Sequence, residues 1–435
     1  MAWLQPVFWV VILLGVMILI HELGHYCAAL LVGIKVETFS FGFGPRLFGF
    51  KHGETDFRVS AIPFGGYVRM MGEQPGDEPS TDPRSFQAKS RGQRALVVLA
   101  GPLMNIVLAI VIVTGLYMYG FPKEVTSNDP VISSLEPGSP AAKAGLQPGD
   151  KIVQLNNRKN PSWSDLLTQE ALNANHQLSV VVDRNGQKLN FAVTPRMDAK
   201  QGVGVAGWGG DVQVGQVVKG SPAERAGLKP GDLLIKVNKQ PVASAATVQQ
   251  AVIQSAGKPL EVTVMRGGRI QDVSVAPAAT GDSKMPWRMG IAFRMPVEMV
   301  KLGFGPALQE SVRLNVQNAT LIFQVLGSIV ERRVSPKTLA GPIGMAKMSS
   351  EAAHEGASSF FGWMALVSLN LAIFNLLPIP ILDGGTLLML FIETLIQREV
   401  SLQVKETIFK FGFVFLMMIV VFVIYNDISR ILTNS

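Results

Sequence analysis

The sequence predicts a polytopic α-helical membrane protein with four transmembrane helices and two α+β domains inserted on the extracytoplasmic side. Three observations predict this class. Of the 435 residues, 48% are hydrophobic and only 16% are charged, which is typical of an integral membrane protein with soluble parts. Four apolar stretches approach or exceed the length of about 20 residues with which a helix crosses a bilayer. Between the second and the third stretch, two polar segments repeat each other.

The first apolar run extends from Pro6 to Gly33, and we assign residues 1–33 to transmembrane helix 1. A cleaved signal peptide is the alternative. It is disfavoured because no basic residue precedes the run. The run is also longer than the apolar region of a signal peptide, which has about 7–15 residues.

Three further spans follow along the chain. The second covers residues 95–119, the third lies at about Phe360–Ile381 within the region 358–396, and the fourth covers residues 411–428. The segment Gly384–Ile396 is also apolar but is too short to cross a bilayer. We interpret it as a helix that packs inside the bundle or re-enters it.

Basic residues predict the orientation, because Lys and Arg concentrate in cytoplasmic loops. Lys89, Arg91 and Arg94 precede the second span, and three more basic residues lie within 398–410. We therefore expect residues 34–94 in the cytoplasm, and both termini and residues 120–357 on the outer side. The net charge of +7 is scattered along the chain, so we expect no nucleic-acid partner.

The two repeated segments are EPGSPAAKAGLQPGDKIVQLN at 136–156 and VKGSPAERAGLKPGDLLIKVN at 218–238. Asp150 matches Asp232, an offset of 82 residues (232 − 150 = 82). In each repeat, S-P-A-x-x-A-G-L indicates a short helix with proline at its start, and P-G-D indicates a turn before a strand. The pattern resembles bacterial PDZ domains, so we assign residues 125–200 and 205–280 to two PDZ domains. Such domains bind extended peptides at a sheet edge, but a purely steric role as spacers or covers stays open.

Residues 281–357 contain the apolar stretch ATLIFQVLGSIV, whose 12 residues are too few to cross a bilayer. We expect amphipathic helices that lie on the membrane surface. Ordinary helical packing against the PDZ domains is the alternative.

The first span carries His21, Glu22 and His25 in the pattern H-E-x-x-H. On a helix, residues four apart share a face, so both imidazoles can reach one metal ion while the glutamate acts as a general base toward water. Ionisable groups at membrane depth are costly and usually mark function. Polar pairing between helices, with no metal, is the alternative.

A catalytic zinc ion commonly has three protein ligands, and Asp383 in NLLPIPILDGGTLL is the best third candidate. Pro378 and Pro380 would break a helix at membrane depth, and irregular backbone there is tolerated only inside protein or beside water. A simple turn at the Asp-Gly-Gly sequence is the alternative for Asp383. Asn375 is suited to hydrogen-bond a substrate backbone, or else another helix.

These residues resemble the site-2 protease family of intramembrane zinc metalloproteases. The resemblance rests on HELGH with LDG, and on AGPLMN (100–105), AGPIG (340–344) and IPFGGYVRM (62–70). It implies that His21, His25 and Asp383 bind one zinc ion, that Glu22 is the catalytic base and that Asn375 positions the substrate. Many relatives have histidine after L-D-G-G, where this chain has Thr386.

The resemblance also implies the surroundings and the partners of the site. The β region within 34–94 would be membrane-associated. Residues of this region and of the proline-containing break after the third span would contact an unwound substrate: Phe64, Gly65, Gly66, Tyr67, Pro378 and Pro380. The implied substrates are single-span membrane proteins already clipped on their outer side, chiefly an anti-sigma factor, together with signal peptide remnants. The implied location is the inner membrane of a bacterium, with the PDZ domains and both termini in the periplasm and with peptide ligands for the PDZ domains.

Two other classes of function remain as alternatives. One is a membrane scaffold whose PDZ domains recruit partners around a degenerate metal site. The other is a zinc transporter. The presence of Glu22 together with all three candidate ligands argues against a degenerate metal site and therefore against the scaffold. A candidate general base, Glu22, beside the ligands gives the transporter little support.

Overall fold

A computed structural model of the chain describes residues 4–73, 82–124, 130–198, 202–210, 212–242, 245–281, 285–294 and 297–434. The chain divides into two compact units. The membrane unit contains residues 1–121, 301–323 and 339–435, and the inserted unit contains residues 122–300 and 324–338. The ends of the expected first PDZ domain, residues 125–129, 199 and 200, lie outside the described residues.

The helices, in chain order, are α1 (Leu4–Leu31), α2 (Arg91–Tyr119), α3 (Pro140–Lys143), α4 (Trp163–Leu172), α5 (Pro222–Arg225), α6 (Ala245–Gln254), α7 (Phe304–Val330), α8 (Pro342–Glu355), α9 (Ala357–Asn375), α10 (Asp383–Ile396) and α11 (Leu402–Asn434), with a 3₁₀ turn at Pro336–Thr338.

The strands are β1 (Val36–His52), β2 (Thr55–Met70), β3 (Phe121–Glu124), β4 (Ser134–Leu135), β5 (Lys151–Leu155), β6 (Arg158–Lys159), β7 (Leu178–Arg184), β8 (Gln187–Val193), β9 (Arg196–Met197), β10 (Gly204–Val205), β11 (Trp208–Gly209), β12 (Val212–Val217), β13 (Leu233–Val237), β14 (Gln240–Pro241), β15 (Leu260–Arg266), β16 (Arg269–Val275), β17 (Ala278–Ala279), β18 (Trp287–Arg288), β19 (Ile291–Arg294) and β20 (Val297–Val300).

Within the described residues, four helices are long and apolar enough to cross a membrane: Gln5–Leu31, Arg91–Tyr119, Ala357–Asn375 and Gln403–Ser429. Two of them begin earlier than the sequence predicts. Helix α2 begins before residue 95 because Ser90 caps it, in a capping box with Gln93. Helix α11 begins at Leu402 rather than at 411.

The break between α9 and α10 places Asp383 at the start of a helix. The segment between them contains Pro378 and Pro380, which cannot continue a helix. The chain turns so tightly that a Cβ atom on Gly384 would lie 2.2 Å from the Leu377 carbonyl oxygen. Glycine is therefore required directly after Asp383 for this turn to form.

The strands β1 and β2 form an antiparallel sheet in which β2 folds around β1. Residues 39–41 of β1 pair with 57–59 of β2 on one side and with 66–68 on the other. The segment 66–70 is therefore an outer strand of this small sheet. Phe43, Leu47 and Phe48 near the far end of β1 are exposed, which is compatible with a hairpin at the membrane; that position stays a prediction.

Helix α8 begins in the AGPIG sequence, where a side chain from α11 caps it. Asp427 accepts hydrogen bonds from the backbone N–H groups of Gly341, Ile343 and Gly344, each at 3.0 Å. A carboxylate at this end satisfies amides that the helix leaves without partners. The sequence pattern predicted no partner for this segment.

The inserted unit contains two modules with repeated cores. The buried residues Ile152, Leu155, Val180 and Val182 of the first module recur 82 positions later as Leu234, Val237, Val262 and Val264 of the second. The first module has a sheet in the order β6-β5-β7-β8, and the second has β16-β15-β13-β12-β19.

An ion pair is also repeated in the two modules. Arg184 Nε lies 2.6 Å from Asp150 Oδ1, and Arg266 Nε lies 2.6 Å from Asp232 Oδ1. Burial alone would raise the pKa of each aspartate, but the hydrogen bonds from its arginine prevail and lower it. The two segments that repeat in the sequence therefore also repeat the same buried core positions and the same Asp–Arg ion pair in the structure.

The module boundaries differ from those expected at 200, 205 and 280. Trp208–Gly209 pairs with Ser134–Leu135 of the first module, and Ile291–Arg294 pairs with β12 of the second. In each case a short strand after the last hairpin returns to the beginning of its module. The modules therefore extend to about residues 209 and 294. Trp287–Arg288, Ile291–Arg294 and Val297–Val300 are short strands rather than the expected surface helices.

Helix α7 is longer than the 12-residue apolar stretch suggested, with 27 residues. Leu308, Val312, Val316 and Phe323 are exposed on it, and their spacing of four and seven residues places them on one stripe. This amphipathic pattern is compatible with the expected position on a membrane surface, which stays a prediction.

One buried position of the first module carries a carboxyl group where the second module has an apolar side chain. Glu170 on α4 is 8% exposed and accepts a hydrogen bond from Ala206 N at 3.0 Å. Val252 on α6 has the matching position (252 − 170 = 82) and is also buried. Burial raises the pKa of Glu170 to about 7, even though the hydrogen bond from Ala206 opposes the increase.

Candidate active site

Two histidines of α1 face the backbone of α2. His21 and His25 are buried, and their Nε2 atoms lie 3.2 Å apart. His25 Nδ1 lies 2.9 Å from the Val97 carbonyl oxygen, which can only accept a hydrogen bond. The proton of neutral His25 is therefore on Nδ1, and its Nε2 lone pair points toward His21.

Asp383 completes a three-ligand group with these histidines. Its Oδ2 atom lies 3.2 Å from His21 Nε2, and its Oδ1 atom lies 3.6 Å from His25 Nε2. One ligand atom from each of the three residues lies within 4.8 Å of the others. The Asp383 Oδ2 atom is buried without a hydrogen-bond donor among the described residues. Two imidazoles and one carboxylate fit a catalytic zinc ion.

The close approach of α1 and α2 depends on two glycines. A Cβ atom on Gly101 would lie 2.3 Å from His25 Nε2 and 2.9 Å from His21 Nε2, and one on Gly24 would lie 2.4 Å from the Ala100 carbonyl oxygen. The backbone of α2 thus forms one wall of the metal site. This contact gives a physical role to AGPLMN, which the sequence analysis used only as a resemblance.

Glu22 lies between the histidines and the outer strand of the small sheet. Its carboxyl group accepts a hydrogen bond from the Val68 backbone N–H. A Cβ atom on Gly66 would lie 3.3 Å from Glu22 Cγ and 2.9 Å from the Ser40 carbonyl oxygen. The strand segment 66–70 is therefore in direct contact with the candidate base.

The group faces a cavity of about 1180 Å³ that is lined by His21, Glu22, His25, Tyr67, Asn375 and Asp383 among others. Charged side chains line another part of the same cavity. They form two ion pairs, Arg94–Glu399 at 3.3 Å and Lys405–Glu393 at 2.7 Å. The first pair joins α2 to the segment between α10 and α11, and the second joins α10 to α11. From the sequence, Arg94 and Lys405 had indicated only the orientation, and Glu393 and Glu399 had no assigned role.

Asn375, the last residue of α9, lies at the candidate metal ligands. Its Nδ2 atom is 3.4 Å from His21 Nε2. Tyr67 lines the cavity, and its hydroxyl accepts a hydrogen bond from Arg58 Nη2 at 2.6 Å. Gly65 has φ +110, and a Cβ atom there would lie 2.1 Å from the Phe43 ring. The sheet thus brings Tyr67 to the cavity and Gly66 against Glu22.

The other predicted substrate contacts are placed differently or lie outside the described part. The side chain of Phe64 is outside the described residues. Pro378 and Pro380 are absent from the described cavity lining. Pro380 contacts α11 instead, where a Cβ atom on Gly412 would lie 2.5 Å from Pro380 Cβ.

Comparison with known proteins identifies the family. The sequence profile described as Peptidase family M50 matches residues 9–419. The chain belongs to this family. As an M50 peptidase, it is a zinc metalloprotease and a membrane protein, in agreement with the ligand group and with the four candidate spans.

Several relatives align over nearly their whole length. A putative zinc metalloprotease of Neisseria meningitidis is 31% identical over 96% of this chain and 97% of its own. The regulator of sigma E protease of Haemophilus influenzae is 31% identical over 97% of this chain and 98% of its own. The regulator of sigma-E protease RseP of Salmonella typhimurium is 30% identical over the same shares, 97% and 98%.

Among solved structures, a PDZ domain of an SdrC-like protein from Listeria monocytogenes aligns with 19% of this M50 chain and 85% of its own, at 20% identity and a TM-score of 0.17. This likeness is too slight to assign the fold of either module.

Proposed function

We propose that the chain is a site-2 protease that hydrolyses peptide bonds in the membrane-spanning segment of single-span membrane proteins already clipped on their outer side. The observation that supports this proposal best is the convergence of His21, His25 and Asp383 within 4.8 Å. The group lies in a unit that contains four helices of membrane-spanning length. A peptidase centre in such a unit acts on bonds that reach it through the bilayer.

In this proposal His21, His25 and Asp383 hold one zinc ion. Bound zinc supplies a Lewis acid and lowers the pKa of water to about 7. Glu22 takes the proton from the attacking water and delivers it to the leaving amine. The hydrogen bond from the Val68 N–H holds the Glu22 carboxyl group against the outer strand, so the base faces whatever chain lies along that strand.

A helical substrate must unwind before hydrolysis, because its amides are hydrogen-bonded within the helix. The outer segment 66–70 offers an edge to which an extended chain can add as a further strand. Gly66 and Tyr67 belong to this edge, next to Glu22 and the cavity. Asn375 would hydrogen-bond the substrate backbone at the ligands. Contacts from Phe64, Gly65, Pro378 and Pro380 are part of the same proposal.

The relatives named regulators of sigma-E protease favour an anti-sigma factor as the main substrate. Signal peptide remnants are a second substrate class. We place the chain in a bacterial inner membrane, with both PDZ domains and both termini in the periplasm, consistent with the basic residues before α2. The two modules would exclude substrates whose outer domains are intact.

The decisive test compares Glu22→Gln with the wild type on a model single-span substrate in purified form. We expect zinc content to stay at one ion per chain while the cleavage rate falls by about 10²–10⁴-fold, the usual contribution of a general base. Glu351→Gln, at an exposed position of α8, is the matched control. Undiminished cleavage in Glu22→Gln, or a wild-type protein without zinc, would contradict the mechanism. A wild-type protein that cuts no substrate would favour a scaffold, or a transporter if it moves zinc.

A further inference from the structure

The imidazole of His21 has an amide on each side. Asn105 Nδ2 lies 3.3 Å from His21 Nδ1, and Asn375 Nδ2 lies 3.4 Å from His21 Nε2. A neutral imidazole has one N–H group and one lone pair, so it cannot accept a hydrogen bond from two amide N–H groups. One of the two amides must therefore present its oxygen to the ring.

The ligand geometry decides which amide turns. Asp383 and His25 both approach His21 through Nε2, so Nε2 is the atom that needs a free lone pair for a metal ion. The proton of His21 then lies on Nδ1, facing Asn105. The oxygen and nitrogen of an asparagine amide exchange places when the amide turns over. Asn105 Oδ1 is buried without a donor among the described residues, so no other hydrogen bond holds this amide in place.

We infer that Asn105 is a positioning residue whose amide oxygen accepts the Nδ1–H of His21 and thereby fixes the tautomer that presents Nε2 to zinc. The inference rests on the proposed ligand role of His21. It gives the two histidines matching partners on α2, because His25 Nδ1 already donates to the Val97 carbonyl oxygen. Outer partners of this kind orient the imidazole and raise its basicity.

The position of Asn105 is itself secured by packing. Its side chain is fully buried, with an exposed fraction of 0%. Ser368 Oγ on α9 donates a hydrogen bond to the Asn105 carbonyl oxygen at 3.0 Å. This bond joins α9 to α2 at the residue that contacts His21, but it does not involve the imidazole, which makes Ser368 a matched control.

The experiment measures the zinc affinity of the full-length chain in detergent by competition with a chelator, together with the visible spectrum of the Co²⁺ form. We expect Asn105→Leu, which has similar size but no acceptor, to weaken zinc binding by about 10–100-fold and to alter the Co²⁺ spectrum. Asn105→Asp keeps an acceptor oxygen and should stay within a few-fold of the wild type. Ser368→Ala should also bind zinc within about threefold of the wild type.

Three results would overturn the inference: zinc affinity within threefold of the wild type in Asn105→Leu, equal losses in the Leu and Asp variants, or an equal loss in Ser368→Ala. The last two results would indicate that zinc affinity depends on packing around Asn105 rather than on its acceptor oxygen. If Asn105→Asp fails to fold, Asn105→Ser replaces it, since a hydroxyl also accepts. His21→Ala tests the ligand assignment separately, because unchanged zinc binding there would defeat the proposed function itself.

Discussion

Replacing Gly101 with alanine should abolish tight zinc binding without unfolding the membrane unit. The new Cβ atom would lie 2.3 Å from His25 Nε2 and 2.9 Å from His21 Nε2. Ordinary contact begins at 3.4 Å, so His25 must retreat by about 1 Å (3.4 − 2.3) or the helices must separate. Metal–ligand distances tolerate only about 0.2 Å.

We therefore expect the zinc dissociation constant of Gly101→Ala to rise at least about 100-fold, which corresponds to about 3 kcal/mol. The assay is chelator competition on the purified full-length protein, with zinc per chain measured by elemental analysis. Melting of the metal-free protein should change little, because alanine favours a helix over glycine by about 0.5–1 kcal/mol and offsets part of the strain.

Gly115→Ala is the matched control on the same helix, since nothing lies within 4 Å of a Cβ atom at that position. It should bind zinc as the wild type does and melt at the same or a higher temperature. Zinc binding within threefold of the wild type in Gly101→Ala would refute the argument that α2 is a wall of the metal site.

Two further predictions concern the inserted unit. Deleting both modules, residues 125–294, should permit cleavage of a substrate whose outer domain is intact; if only the clipped substrate is still cut by the shortened enzyme, the filter hypothesis fails. The second concerns pH. Because the pKa of Glu170 is about 7 in the folded state and its ordinary value is 4.5, the folded state holds the proton more tightly, and the free energy of unfolding should fall by up to about 3 kcal/mol between pH 4.5 and 7. Glu170→Gln should remove this pH dependence of the unfolding free energy and should melt at a higher temperature than the wild type at pH 8. Glu136→Gln, at an exposed position, should do neither. An unchanged pH profile in Glu170→Gln would contradict the assignment of the pH dependence to Glu170.

Much of the membrane unit could be predicted because its signals are local. Long apolar runs indicate α1 and α2 directly, and the four-residue spacing of His21 and His25 predicts one helix face. The prediction that Asp383 is the third ligand depended on the helix break before it and on the family resemblance. The earlier start of α2 also had a local signal, since Ser90 and Gln93 form a capping pattern.

What could not be predicted depends on contacts between distant segments. No local pattern shows that Gly101 faces the two histidines, because the pairing of α1 and α2 is tertiary. Asn105 did carry a signal, as a lone amide within an apolar span, where polar residues usually have a partner. The strands that close the two modules, Trp208–Gly209 and Ile291–Arg294, are only two and four residues long, too short for a recognisable alternation.

The wide separation of the three ligands along the chain has a consequence for biosynthesis. His21 and Asn375 are 354 residues apart, and Asp383 comes later still. A nascent chain that has inserted α1 and α2 already carries the proposed base and two imidazoles, but it lacks the carboxylate of the proposed site. If Asp383 is a zinc ligand, the coupling of metal binding to folding delays activity until the inserted unit has been translated and α10 has packed. A chain stalled before that point would then cleave no neighbouring membrane protein.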